Sequence, residues 1–127
     1  MHNKNKMTSE DFSKLASSAI GSNLAAEGKY SSLVAAGDCS SLAAAGENSI
    51  AISCGRGSRV KGAEGTLIAL THYKYDDKGD EYILRKDDKG DEFIPLRIVT
   101  GKIGEEGLLP DTWYRLNEKG EFVECND

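Results

Sequence analysis

The sequence predicts a mainly β protein: a short N-terminal helix, then a nonapeptide β-solenoid (β-roll or β-helix), then a C-terminal antiparallel β-meander. Three observations lead there. A nine-residue unit recurs over residues 24–68, and a fixed short period marks a chain that stacks equivalent coils. A helical stripe of apolar residues precedes the repeats. Similar glycine turns between β-rich segments follow them. The chain of 127 residues thus divides into a polar tail and helical cap (1–23), the solenoid repeats (24–70) and the meander (71–127).

The helix is predicted over residues 9–19. Phe12, Leu15, Ala16 and Ala19 fall at i, i+3, i+4 and i+7, one face of a helix. Thr8 and Asp11 resemble a capping box with a shortened acid, and Gly21 is a plausible stop. Such a segment would cover the first coil of a stacked fold.

The repeats read LAAEGKYSS, LVAAGDCSS, LAAAGENSI, AISCGRGSR and a decayed VKGAEGTLI. Positions one and three are apolar or small, and on a strand they face the same way. Position five is Gly28, Gly37, Gly46 and Gly55, with Glu64 breaking the rule. These glycines are expected to supply the φ > 0 of a tight corner. Position eight is Ser31, Ser40, Ser49 and Ser58, small and able to bond backbone groups at the corner. Two units per coil give about two and a half coils, about 12 Å tall at ~4.8 Å per coil. A helical alternative is opposed by glycines that leave room for only about one turn between them.

In the tail, DDKGDEYI (76–83), DDKGDEFI (87–94) and the fainter NEKGEFV (117–123) carry hairpin-turn chemistry. Pro95 belongs at an edge or a bulge.

Composition narrows the function classes. The formal charge is -5, with 39% hydrophobic and 7% aromatic residues, so the core is thin and the balance argues against direct nucleic-acid binding. Cys39, Cys54 and Cys125 form no CxxC pair and read as reduced thiols. No apolar run approaches the ~20 residues of a membrane span, and MHNKNKM lacks the apolar stretch of a signal peptide. The expected location is the cytoplasm, that of the host cell if the chain is phage-encoded.

No catalytic constellation is expected, and hence no enzyme, cofactor or metal. A stacked calcium ladder needs carboxylates at one repeated position, but the residues after the repeat glycines are Lys29, Asp38, Glu47 and Arg56. The DDKGDE turns lack EF-hand spacing. His72, beside two tyrosines, reads as a structural strand histidine without a catalytic partner pattern. The residues left as candidates for binding are Tyr30, Arg56, Arg59, Lys61, Trp113 and Tyr114. Trp113 follows a proline turn and could anchor recognition; Arg56, Arg59 and Lys61 form a small basic cluster.

Two resemblances reach these residues. The stretch GENSIAISCGRGSRVKGAEGT (46–66) is similar to the head repeats of trimeric autotransporter adhesins, which implies a β-roll; the adhesin glycine after the isoleucine is Ser53 here. Over about residues 20–123 the chain also resembles small uncharacterised phage and prophage proteins with A-A-x-G-D-x-S repeats and a D-T-W-Y-x-L module. The matching residues are Ala35-Ala36-Gly37-Asp38-Cys39-Ser40 and Asp111-Thr112-Trp113-Tyr114-Arg115-Leu116. This resemblance implies a phage or mobile-element origin. The expected function is a non-catalytic binding protein that blocks or sequesters a host defence component, either an effector protein or a small nucleotide. The alternative is a structural module of a virion or fibre-like assembly. Open solenoid edges favour pairing, so a homo-oligomer through solenoid faces is expected.

Overall fold

The structure, a computed structural model, describes residues 5–76, 85–86 and 92–125. Each nonapeptide forms one four-residue strand: β1 (Asn5–Thr8), β2 (Lys14–Ser17), β3 (Asn23–Ala26), β4 (Ser32–Ala35), β5 (Ser41–Ala44), β6 (Ile50–Ser53) and β7 (Arg59–Gly62). A longer strand, β8 (Leu67–Asp76), follows. Successive units reverse the chain, so every strand pairs in parallel with the one two units later. Leu24 lies beside Leu42, and Leu33 beside Ala51, eighteen residues apart. Odd and even strands build two facing sheets of a β-solenoid of about four coils.

Within each strand, burial alternates with the pleat. Positions one and three point inward, as the pattern predicts. Leu24, Leu42 and Val60 from one sheet meet Leu33, Ala51 and Ile68 from the other. Two inward residues per strand make a narrow core, which is why alanine, serine and glycine fill position three.

The corners correct the expectation for the repeat glycines. Positive φ occurs at position seven, in Phe12, Gly21, Tyr30, Cys39, Asn48 and Gly57, and the position-five glycines are absent from that set. Their requirement is steric. A Cβ on Gly28, Gly37, Gly46 or Gly55 would overlap the backbone carbonyl of the residue one coil earlier. Position eight behaves as predicted: the Ser31, Ser40 and Ser49 hydroxyls donate to the carbonyls of Gly28, Gly37 and Gly46 at 2.9, 2.7 and 2.9 Å. The Ser49 and Ser58 hydroxyls also serve the adjoining coil, accepting from Ser31 N–H at 3.1 Å and from Ser40 N–H at 3.3 Å.

No helix forms over residues 9–19. This segment is the first corner and second strand of the solenoid. Leu15 and Ser17 occupy positions one and three, and Ser13 and Ser22 occupy position eight, with hydroxyls donating to the carbonyls of Glu10 and Ala19 at 2.7 and 2.6 Å. The supposed stripe is split: Leu15 turns inward, whereas Phe12 is 70% exposed. Bonds to the next coil, such as Ser32 N–H to the Ser13 carbonyl at 2.8 Å, satisfy more backbone than a marginal isolated helix keeps formed in water. Glu10 and Ala19 occupy position five, where the later units carry glycine.

The C-terminal strands are antiparallel, but they are divided between the two sheets. β10 (Glu92–Lys102) pairs along β8, with β9 (Arg85–Lys86) outside it. The register shifts between Pro95 and Arg97, so Pro95 adjoins a bulge as predicted. The first two DDKGDE turns fall largely outside the described residues. The third is a hairpin joining β11 (Tyr114–Leu116) to β12 (Phe122–Glu124), with Gly120 at φ 79°. β11 docks on β7 through Tyr114 opposite Val60. The connection before β11 closes the core with buried Ile103 and Leu108, and Ile103 N–H donates to the Thr66 carbonyl at 2.9 Å.

Candidate binding surface

Arg59 and Lys61 lie two residues apart on β7 and therefore project from the same outer face. Pairing of β11 against β7 brings Trp113 to that face. The Arg59 guanidinium carbon lies 4.1 Å, and the Lys61 ammonium 5.0 Å, from the centroid of a Trp113 ring. Both fall within cation–π range. The turn before Trp113 is fastened to β7 by Asp111 N–H donating to the Gly62 carbonyl at 3.0 Å, and the Asp111 carboxylate lies 3.5 Å from Lys61 Nζ.

Arg59 is held from a second direction. Its Nε donates to Ser41 Oγ, one coil earlier, at 2.9 Å. Its Nη1 is buried without a hydrogen-bond partner among the described residues. A guanidinium has five donors in a rigid fork, so this residue is positioned by part of its fork and unsatisfied in another.

A groove of about 640 Å³ adjoins it, between the Cys39–Gly57 corner and the β11–β12 hairpin, lined by Ser41, Arg59, Arg115, Glu124 and Cys125 among others. A smaller cavity of about 250 Å³ shares Gly57 and Arg115 with it and reaches Arg56, His72 and Tyr73. His72 is buried in β8, and its Nε2–H donates to the Glu118 carbonyl at 3.0 Å, tying the hairpin turn to the second sheet. Its Nδ1 is the other buried side-chain atom without a partner among the described residues.

Of the six candidates, the structure thus brings Arg59, Lys61 and Trp113 together. Arg56 lies at the adjacent corner, where it takes the Asp38 carboxylate through Nε at 3.1 Å and Nη2 at 2.7 Å. Tyr30 is at the opposite corner, stacked on Phe12 with ring centroids 5.3 Å apart. Tyr114 is 3% exposed and packs edge-on against Phe122 at 6.5 Å; its hydroxyl accepts from Leu109 N–H at 2.7 Å. Sequence reasoning missed Ser41 and Arg115. The eighteen-residue coil spacing would have found Ser41, and strand alternation from Trp113 would have found Arg115.

The mixed charges after the repeat glycines form ladders between coils. Asp38 pairs with Arg56, Lys29 lies 3.9 Å from Glu47, and Asp11 accepts from Lys29 N–H at 2.9 Å. Among the described residues no group of three or more His, Cys, Asp or Glu side chains could hold a metal ion. Comparison with known proteins finds no matching family model, no matching curated protein and no matching solved structure.

Proposed function

We propose that the chain is a non-catalytic binding protein of phage or mobile-element origin that blocks or sequesters a host defence component. It would act through the Trp113–Arg59–Lys61 face and the groove beside it. The observation that carries this reading is the Arg59 guanidinium, oriented by Ser41 and Trp113 where it lines the groove. A pre-ordered guanidinium loses less freedom when it meets a phosphate or carboxylate. The chain's charge of -5 limits what that anion belongs to. A long polyphosphate backbone would be repelled by the rest of the molecule, whereas a small nucleotide or a single acidic side chain of an effector would meet only the cationic face. The resemblance of residues 35–40 and 111–116 to phage proteins supports the origin.

The test is a plating assay in a bacterial strain that restricts phage through a known defence system, run with the wild-type chain, Arg59→Glu and Trp113→Ala. Rescue of plating by the wild type, lost in variants that remain folded, is the expected result. Absence of rescue, together with no binding to the effector or its nucleotide signal, overturns the proposal. Recovery of the chain from purified particles instead supports a structural module of the virion.

A further inference from the structure

The two sheets present unlike outer faces. On the even-strand sheet Val34, Ile50 and Leu67, from successive rungs, are 38–50% exposed and make that surface aliphatic. On the odd-strand sheet the outward row Asn23–Ser41–Arg59 runs up to the edge where β11 docks. There β11 lies antiparallel to β7 with Tyr114 opposite Val60, both buried. The next pair along the two strands, Arg115 and Arg59, therefore stands directly opposed on the outer face. Opposed side chains on neighbouring strands have Cβ atoms about 4.5–5.5 Å apart, and like charges in that position repel. Lys61, two residues along β7, adds a third cation to the same face.

We infer that the opposed Arg59–Arg115 pair holds a dianionic phosphate group, free or as the monoester of a small molecule. This rests on the reading of the face as the binding surface and narrows its ligand. Arg59 is the fixed half: Ser41 Oγ takes its Nε at 2.9 Å, and its guanidinium carbon lies 4.1 Å from the centroid of a Trp113 ring. Arg115 is the exposed half, lining the same groove. Its two cross-strand neighbours are Arg59 on β7 and Val123 on β12, so neither is an acid. Two nearby carboxylates are engaged by other cations. Asp38 takes Arg56 at 2.7 Å, and Asp111 lies 3.5 Å from Lys61 Nζ. Glu124 also lines the groove, but its register partner is Tyr114.

Charge and oxygen count choose the ligand. A carboxylate brings one charge and two oxygens, which a single guanidinium fork satisfies; the second arginine would still face a like charge. A phosphate monoester brings a charge of about -1.5 to -2 at pH 7 and three strong acceptor oxygens, enough to bridge both forks. The groove, at about 640 Å³, falls in the range of roughly 300–1,000 Å³ typical of small-molecule sites.

Trp113 is the chain's only tryptophan, so its fluorescence reports on this site. The full chain is titrated at constant ionic strength with inorganic phosphate, adenosine monophosphate, acetate and adenosine. The two phosphates should give saturable changes, about tenfold tighter than acetate or better, and adenosine should give none. Tighter binding of the monophosphate assigns the group to a nucleotide; equal binding assigns it to phosphate itself. Arg115→Gln should weaken phosphate binding by about tenfold or more, the loss of charge-assisted hydrogen bonds. Thermal unfolding separates this from a folding defect. Without phosphate, Arg115→Gln should unfold no lower than wild type, because a repulsion is removed; added phosphate should raise the midpoint of the wild type alone. No response to phosphate, an equal response to acetate or adenosine, or binding indifferent to Arg115→Gln overturns the inference. If it falls while Arg59→Glu still abolishes rescue of plating, the defence reading stands with another ligand. Phosphate binding without any rescue has the reverse meaning.

Discussion

Gly46 sits one coil above Gly28, so close that a Cβ on it would overlap the Gly28 carbonyl oxygen. Backbone here stacks on backbone at the corner, and a hydrogen atom is all the gap admits. Gly46→Ala should therefore cost about 3 kcal/mol, within the range of overpacking against a surface that cannot yield. Gly57→Ala is the contrast. Gly57 has φ 66°, but a Cβ there would meet only Cys39 Sγ, at 3.5 Å. Only the left-handed backbone is then penalised, by about 1 kcal/mol. Urea unfolding of both variants should give the larger loss at Gly46; equal losses would count against the steric account.

Ser49→Ala removes two bonds at once. The Gly46 carbonyl loses its donor and Ser31 N–H loses its acceptor. Both groups are buried, so the expected loss is about 2–3 kcal/mol, larger than for Ser32→Ala on the outer face of β4. Chemical denaturation of the two variants distinguishes them.

Leu33 and Leu15 are neighbours in one inward row, but Leu33 is fully buried whereas Leu15 only packs against the edge of the core. Leu33→Ala should cost about 3 kcal/mol and Leu15→Ala about 1 kcal/mol, following the packing each loses. Far-ultraviolet circular dichroism of the whole chain should show a β spectrum, with no helical component that Leu15→Pro removes.

Arg59 and Trp113 should be energetically coupled. A double-mutant cycle with Arg59→Ala and Trp113→Ala should return about 0.5–1 kcal/mol of interaction in stability, the size of a partly exposed cation–π pair. Additive losses would mean that the pair makes no net contribution.

The period of nine and the inward pairs at Leu24/Ala26 and Leu33/Ala35 were legible because strand alternation dictates them. The first two units were hidden for a physical reason. Position five holds Glu10 and Ala19 in place of glycine, and the most visible mark of the repeat disappears. In its place Phe12, Leu15, Ala16 and Ala19 happened to match a helical spacing, although only Leu15 of the first three faces the core. The sequence also flagged Trp113 and Tyr114 together, but adjacent strand positions face opposite sides, so one of them had to enter the core. That Trp113 would meet Arg59 and Lys61 was not legible, because it depends on β11 docking against a strand about fifty residues earlier.

The eighteen-residue register also limits how this chain can lengthen. One added nonapeptide between β4 and β5 would send every later unit to the opposite side of the molecule, exchanging the aliphatic surface for the cationic one beyond that point. Two added units would leave each side as it was and only increase the height. Duplications in this gene should therefore be tolerated in pairs, and a solitary extra copy should scramble both surfaces while leaving the stacking intact.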